Sequence, residues 1–105
     1  MLRETSLEFI RAVAEEYGAS RVLLFGSCLE VPEEEAGDID LAVEGLSDSD
    51  YDKFWDRLLW ADELNGKPVD VVRIEGESFL VPIILHRGVE IYVAEISKAV
   101  TLDRV

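Results

Sequence analysis

Three carboxylates and a two-residue turn are the part of this sequence equipped to do chemistry. Asp38-Ile39-Asp40 lies ten residues after Gly26-Ser27, and Asp70 sits alone among the valines of Val69-Asp70-Val71-Val72. Side chains at i and i+2 of a strand project from the same face, with Cα atoms roughly 6.5–7 Å apart. An aspartate pair so placed converges on two divalent ions about 3.5–4 Å apart, the arrangement used by in-line phosphoryl or nucleotidyl transfer. Mg2+ suits it, because that ion takes a few carboxylates together with substrate phosphates and water. Asp70, on an adjacent strand, completes the protein ligands. Gly26 lets the backbone approach a triphosphate, and the Ser27 hydroxyl and the N–H groups that follow are donors for phosphate oxygens.

An isolated Asp-x-Asp usually marks a solvated strand face. The apolar strand leading into Gly26, the spacer and the third in-strand Asp together set this one apart. Competing sites fail. No G-x-G-x-x-G and no G-x-x-x-x-G-K-[ST] is present, so neither a dinucleotide fold nor a P-loop is supported. Asp48, Asp50 and Asp52 imitate the start of a calcium loop, but Lys53 stands where that loop needs Gly and Leu59 where it needs Glu. They read instead as acids at a helix N-terminus. His86 is the only histidine and reads as a helix-surface residue, with no partner for a zinc site. Cys28 reads as a packing residue.

The elements that must position these groups follow from periodicity. Thr5 and Glu8 form a capping-box pattern, with Leu7, Ile10, Val13/Ala14 and Tyr17 at helical spacing and Gly18 as the stop. Arg21–Phe25 is a short buried strand, Glu30–Gly37 a polar loop, and Asp38–Glu44 an alternating, half-buried strand. A second helix is expected from the acidic turn Ser47–Asp52 through Leu64 to Gly66. Pro68–Ile74 is a third strand. Ser78 is placed as the cap of a third helix, with Pro82 in its first turn and Gly88 at its end. Val89–Val93 is a fourth strand with Glu90 and Tyr92 on one side, and the last dozen residues are too weakly patterned to assign. This order predicts an α/β (α+β) fold, a small mixed sheet of about four strands with helices packed on it.

The whole chain of 105 residues is expected to be one domain, residues 1–105, without repeats or linkers. Ten Lys+Arg against 23 Asp+Glu give a net charge of −13. Such a surface repels phosphate backbones and anionic membranes, and favours metal ions or a basic protein partner. One cysteine excludes an intrachain disulfide framework and fits a reducing compartment. No signal peptide is visible, and no apolar run approaches the roughly 20 residues of a membrane span. A soluble, cytoplasmic protein is expected.

The stretch Arg21–Val43, RVLLFGSCLEVPEEEAGDIDLAV, resembles the minimal nucleotidyltransferases of the DNA polymerase beta superfamily, whose signature is Gly-Ser, ten residues, Asp-x-Asp. The likeness extends to the leading helix, to Asp70 in its strand and to Arg87–Tyr92. It implies an antitoxin whose partner is a HEPN-domain ribonuclease toxin, with AMP transferred from Mg·ATP to a tyrosine hydroxyl of that toxin. It further implies that Asp38 and Asp40 hold two Mg2+ ions, that Asp70 is the third ligand or the base toward the acceptor, and that Gly26 and Ser27 hold the triphosphate. Related sequences carry arginines just after Gly-Ser, whereas Cys28, Leu29 and Glu30 follow here, and no Lys or Arg occurs between Arg21 and Lys53. Glu30 and Glu33–Glu35 stand to oppose a triphosphate. The alternative is therefore an acidic antitoxin, weak or inactive as an enzyme, that neutralises its toxin by binding and occlusion. A transferase acting alone on a small molecule is the remaining reading, and a domain of this size has little surface to cradle a second substrate.

Overall fold

A computed structural model describes residues 1–94. The elements run α1 (Glu4–Tyr17), β1 (Arg21–Phe25), a 3₁₀ turn (Gly26–Leu29), a second 3₁₀ turn (Glu33–Glu35) and β2 (Ile39–Glu44). After these come α2 (Asp48–Leu58), a third 3₁₀ turn (Asp62–Leu64), β3 (Val69–Arg73), α3 (Val81–Arg87) and β4 (Val89–Val93). The expected α+β fold with a four-stranded mixed sheet is observed. Its strand order is β3-β2-β1-β4, with β1 antiparallel to both β2 and β4, and β2 parallel to β3. The parallel pair needs a crossover, and α2 provides it.

Alternation along the strands splits the sheet into two faces. Val22, Leu24, Ile39, Leu41, Val43, Val69 and Val71 point to the main core, where Ile10 and Val13 of α1 and Phe54 and Leu58 of α2 cover them. Each large side chain buried there contributes about 1.5–3 kcal/mol. On the other face Leu23 and Ala42 form a smaller cluster with Ile84 of α3.

Four local expectations are corrected. The Thr5/Glu8 capping box does not form: Arg3 is the N-cap of α1, and no side chain of its own caps the helix. The missing cap comes from far away in sequence. Glu33, buried in the second 3₁₀ turn, accepts from the Arg3 N–H (3.1 Å), the Arg3 guanidinium (3.0 Å) and the Ser6 hydroxyl (3.0 Å). This puts a carboxylate at the positive end of the helix.

The second helix stops at Leu58, short of Gly66. Leu59 is extended and Trp60 turns left-handed (φ 62°), which swings Leu64 into the core from a 3₁₀ turn. At its start Ser47 does cap the helix, its hydroxyl accepting from the Asp50 N–H at 3.2 Å. Leu80, and not Ser78, is the N-cap of α3; the Ser78 hydroxyl closes a turn just before it by accepting from the Leu80 N–H. In β4 a bulge against Val22/Leu23 breaks the alternation, since Tyr92 pairs with Val22 and Glu90 with Leu23. Glu90 and Tyr92 therefore do not share a face; Ile91 lies in the main core and Tyr92 packs against it. The weakly patterned tail beyond Ala94 lies outside the described residues.

Candidate active site

The topology gathers the chemically distinctive residues at one end of the sheet. β1 ends there at Phe25, while β2, β3 and β4 all begin there. Asp40 pairs with Phe25 on one side and with Asp70 on the other, so the two aspartates stand side by side on the face opposite the main core. Neighbouring strands lie about 4.8 Å apart, which keeps both carboxylates within strong mutual influence.

Each is held by its neighbours. The Ile39 N–H donates to the Pro68 carbonyl at 2.9 Å, and the Lys67 ammonium to the Ala36 carbonyl at 2.5 Å, tying the approach to β2 to the start of β3. β3 is an edge strand, and α2 covers its carbonyls: the Tyr51 hydroxyl donates to Val71 (2.6 Å) and the Trp55 indole N–H to Val69 (2.7 Å). Asp70, between those two residues, is thereby fixed in register while its side chain remains exposed.

Asp38 lies one residue before β2, where the backbone bends, and its carboxyl acts on that of Asp40. Burial, followed by the charges of Asp38 and Asp70, pushes the Asp40 carboxyl up to about 6. Burial, with Asp70 behind it, also raises the Tyr51 phenol. Like charges forced together in this way are what a divalent cation relieves.

Gly26 completes the wall on the β1 side. Its φ is +77°, and a β-carbon there would collide with the Asp40 carboxylate, so only glycine fits both the turn and the contact. Ser27 is exposed beside it. Cys28 is fully buried beneath the turn, and its thiol, raised by burial, donates to the Asp38 carbonyl at 3.4 Å. It packs, as expected, and ties the turn to the Asp-x-Asp segment.

The structure thus brings Gly26, Asp38 and Asp40 into one neighbourhood with Asp70 beside them on the next strand. Among the described residues no three His, Cys, Asp or Glu side chains close into a ready-made metal cage. His86 lies exposed in the last turn of α3, away from any ligand cluster among the described residues. Of the opposing glutamates, Glu33 is consumed by the α1 cap and Glu34 lies 3.6 Å from Arg3. Glu30 and Glu35 remain, both exposed, and of the two Glu30 lies on the wall of a cleft of about 320 Å³ formed by Phe25, Gly26, Leu29, Ile83 and Arg87. Arg87 was not among the site residues expected from sequence. Sixty-one positions separate it from Gly26, and only the placement of α3 shows that the two share a cleft.

The model of the nucleotidyltransferase domain matches residues 7–100. The chain belongs to that family. Two solved structures share the nucleotidyltransferase fold seen here. One is the toxin–antitoxin MntA–HepT, with a TM-score of 0.63 and 17% identity, covering 93% of this chain and 79% of that one. The other is a mutant of the same toxin–antitoxin pair, also at 0.63 and 17%, covering 90% and 78%. Among curated proteins no match is found. Among the described residues of this chain, no helix is long and apolar enough to cross a membrane.

Proposed function

We propose that this nucleotidyltransferase domain is the antitoxin of a toxin–antitoxin pair and transfers AMP from Mg·ATP to a tyrosine hydroxyl of a HEPN-type toxin. The observation that carries the reading is Asp38 close enough to Asp40 to raise its carboxyl, with Asp70 in register beside it and a wall formed by a glycine that tolerates no side chain. The donor set fits Mg2+: all-oxygen, anionic, crowded enough to raise Asp40, and without the closed cage that would exclude substrate phosphates. Asp38 and Asp40 would hold two ions, with Asp70 as a third ligand. When bound, Mg2+ supplies charge neutralisation at the phosphate being transferred.

The chain's own groups do the rest. The Ser27 hydroxyl and the N–H groups after it donate to the triphosphate, and Gly26 admits it close to Asp40. The acceptor oxygen attacks the α-phosphorus, the bond to the β-phosphate breaks, and pyrophosphate leaves. Asp70 is exposed and stands ready to take the hydroxyl proton.

The toxin partner is supported by the fold shared with MntA–HepT and by the charge of −13, which suits a basic protein and repels nucleic acid. Neutralisation by binding alone is the second reading, favoured by Glu30 on the cleft wall and the absence of Lys or Arg from 22 to 52. Co-expression with the product of the adjacent open reading frame, followed by intact-mass measurement of that product, separates the two. Transfer leaves one or more AMP adducts; an unmodified partner that is nonetheless neutralised leaves occlusion alone.

A further inference from the structure

The chain carries a large excess of acid, and its phosphate-facing turn has no cation nearby in sequence. The fold supplies one. Five of the six arginines among the described residues are already engaged: Arg3 with Glu33, Arg11 with the Ile91 carbonyl, Arg21 with Glu44, Arg57 with Glu16, and Arg73 with Asp48. Arg87 has no such partner among the described residues, is exposed, and lines the cleft that opens at Gly26.

Its position is built, not incidental. Ile84 anchors α3 to the sheet through Leu23 and Ala42. Gly88 then lets the end of α3 close on β1, where a β-carbon would lie 2.6 Å from the Ile84 carbonyl oxygen and 3.4 Å from that of Leu24. β4 starts immediately afterwards, with Val89 paired to Leu24. Arg87 is therefore delivered to the end of the sheet where Gly26, Asp40 and Asp70 lie.

We infer that Arg87 is the phosphate-binding cation of this site: it takes the part that arginines after Gly-Ser would otherwise play and contacts the triphosphate of the bound nucleotide from the α3 side of the cleft. This rests on the nucleotidyl-transfer reading and adds a binding residue to it. The guanidinium suits phosphate because its fork of donors matches two oxygens at once.

The test is the affinity of the full chain for Mg·ATP, measured for the parent, Arg87→Ala and Arg87→Lys across a salt series. Loss of a charge-assisted phosphate contact weakens binding by about tenfold to a hundredfold in Arg87→Ala. Lysine restores part of it, and the salt dependence is shallower in the alanine variant than in the other two. Without nucleotide all three unfold alike, since Arg87 is exposed. If Arg87→Ala binds Mg·ATP as the parent does, or if lysine restores nothing, the inference is overturned while the transfer reading stands. If the parent itself binds no nucleoside triphosphate in Mg2+, the transfer reading falls and this inference falls with it.

Discussion

Asp40 and Asp70 are Cα partners across the parallel pair β2–β3, one from each strand, on the face opposite the main core. Neither position is close to the other in sequence, and the α2 crossover is what aligns them. With the charges of Asp38 and Asp70 both bearing on Asp40, the fold holds three acids where only a counter-ion makes three acids comfortable.

That crowding has a pH signature. The Asp40 carboxyl, pushed up to about 6 by burial and by its acidic neighbours, binds its proton more tightly folded than unfolded. The native state therefore holds the extra proton between the ordinary aspartate value and 6, and stability falls as pH rises through that window. In metal-free protein, denaturant unfolding should show a loss of about 1–2 kcal/mol between pH 4 and pH 7 once solvent screening is allowed for. Asp40→Asn should abolish that loss and exceed the parent in stability at pH 7. A parent that gains stability over the same range would refute the crowding.

Divalent metal should reverse the same strain. Mg2+ or Mn2+ with ATP should raise the melting temperature of the parent by mass action, because the ligand binds only the folded site. Asp40→Asn should lose most of that rise. Equal shifts in the two proteins would place the bound metal elsewhere.

Gly26 tests the geometry of the wall. Gly26→Ala forces a side chain into a left-handed backbone and against the Asp40 carboxylate. It should cost about 1–3 kcal/mol of stability and remove nearly all transfer activity. Gly37→Ala meets nothing within 4 Å and should change neither.

Glu33 tests the scaffold without touching the site. Its buried carboxylate satisfies Arg3 and Ser6 at the start of α1. Glu33→Ala should destabilise the fold by about 2–4 kcal/mol, with the remaining folded protein as active as the parent. Chemical denaturation checks the first part and initial rates below the unfolding transition check the second.

The strands were legible because alternation and β-branched runs report one buried face, and Asp70 stood out because its neighbours point to the core. Asp38, Asp40 and Gly26 were legible as a motif. What escaped was whatever depends on residues distant in the chain. The cap of α1 is Glu33, thirty positions from Arg3, so the local Thr5/Glu8 pattern misled. Leu64 kept a spacing that reads as helix although a left-handed Trp60 had already ended it. Arg87 could not be assigned to the site, because only the sheet order places the start of β4 beside the end of β1. The parallel register of Asp40 and Asp70 likewise follows from the crossover, not from either strand alone.

Asp38, Asp40 and Asp70 are proposed to carry out transfer to a protein hydroxyl. The most direct measurement is the initial rate at which the purified chain attaches labelled AMP from Mg·ATP to the unmodified product of the adjacent open reading frame, with binding of that product followed in parallel. Steady transfer by the parent is expected, with a fall of several orders of magnitude in the Asp38→Asn/Asp40→Asn double variant and in Asp70→Asn, since charge neutralisation at the moving phosphate dominates catalysis. Both variants should still bind the partner, because the contact surface is far larger than three carboxylates. Transfer that persists at the parental rate in the double variant would contradict the account.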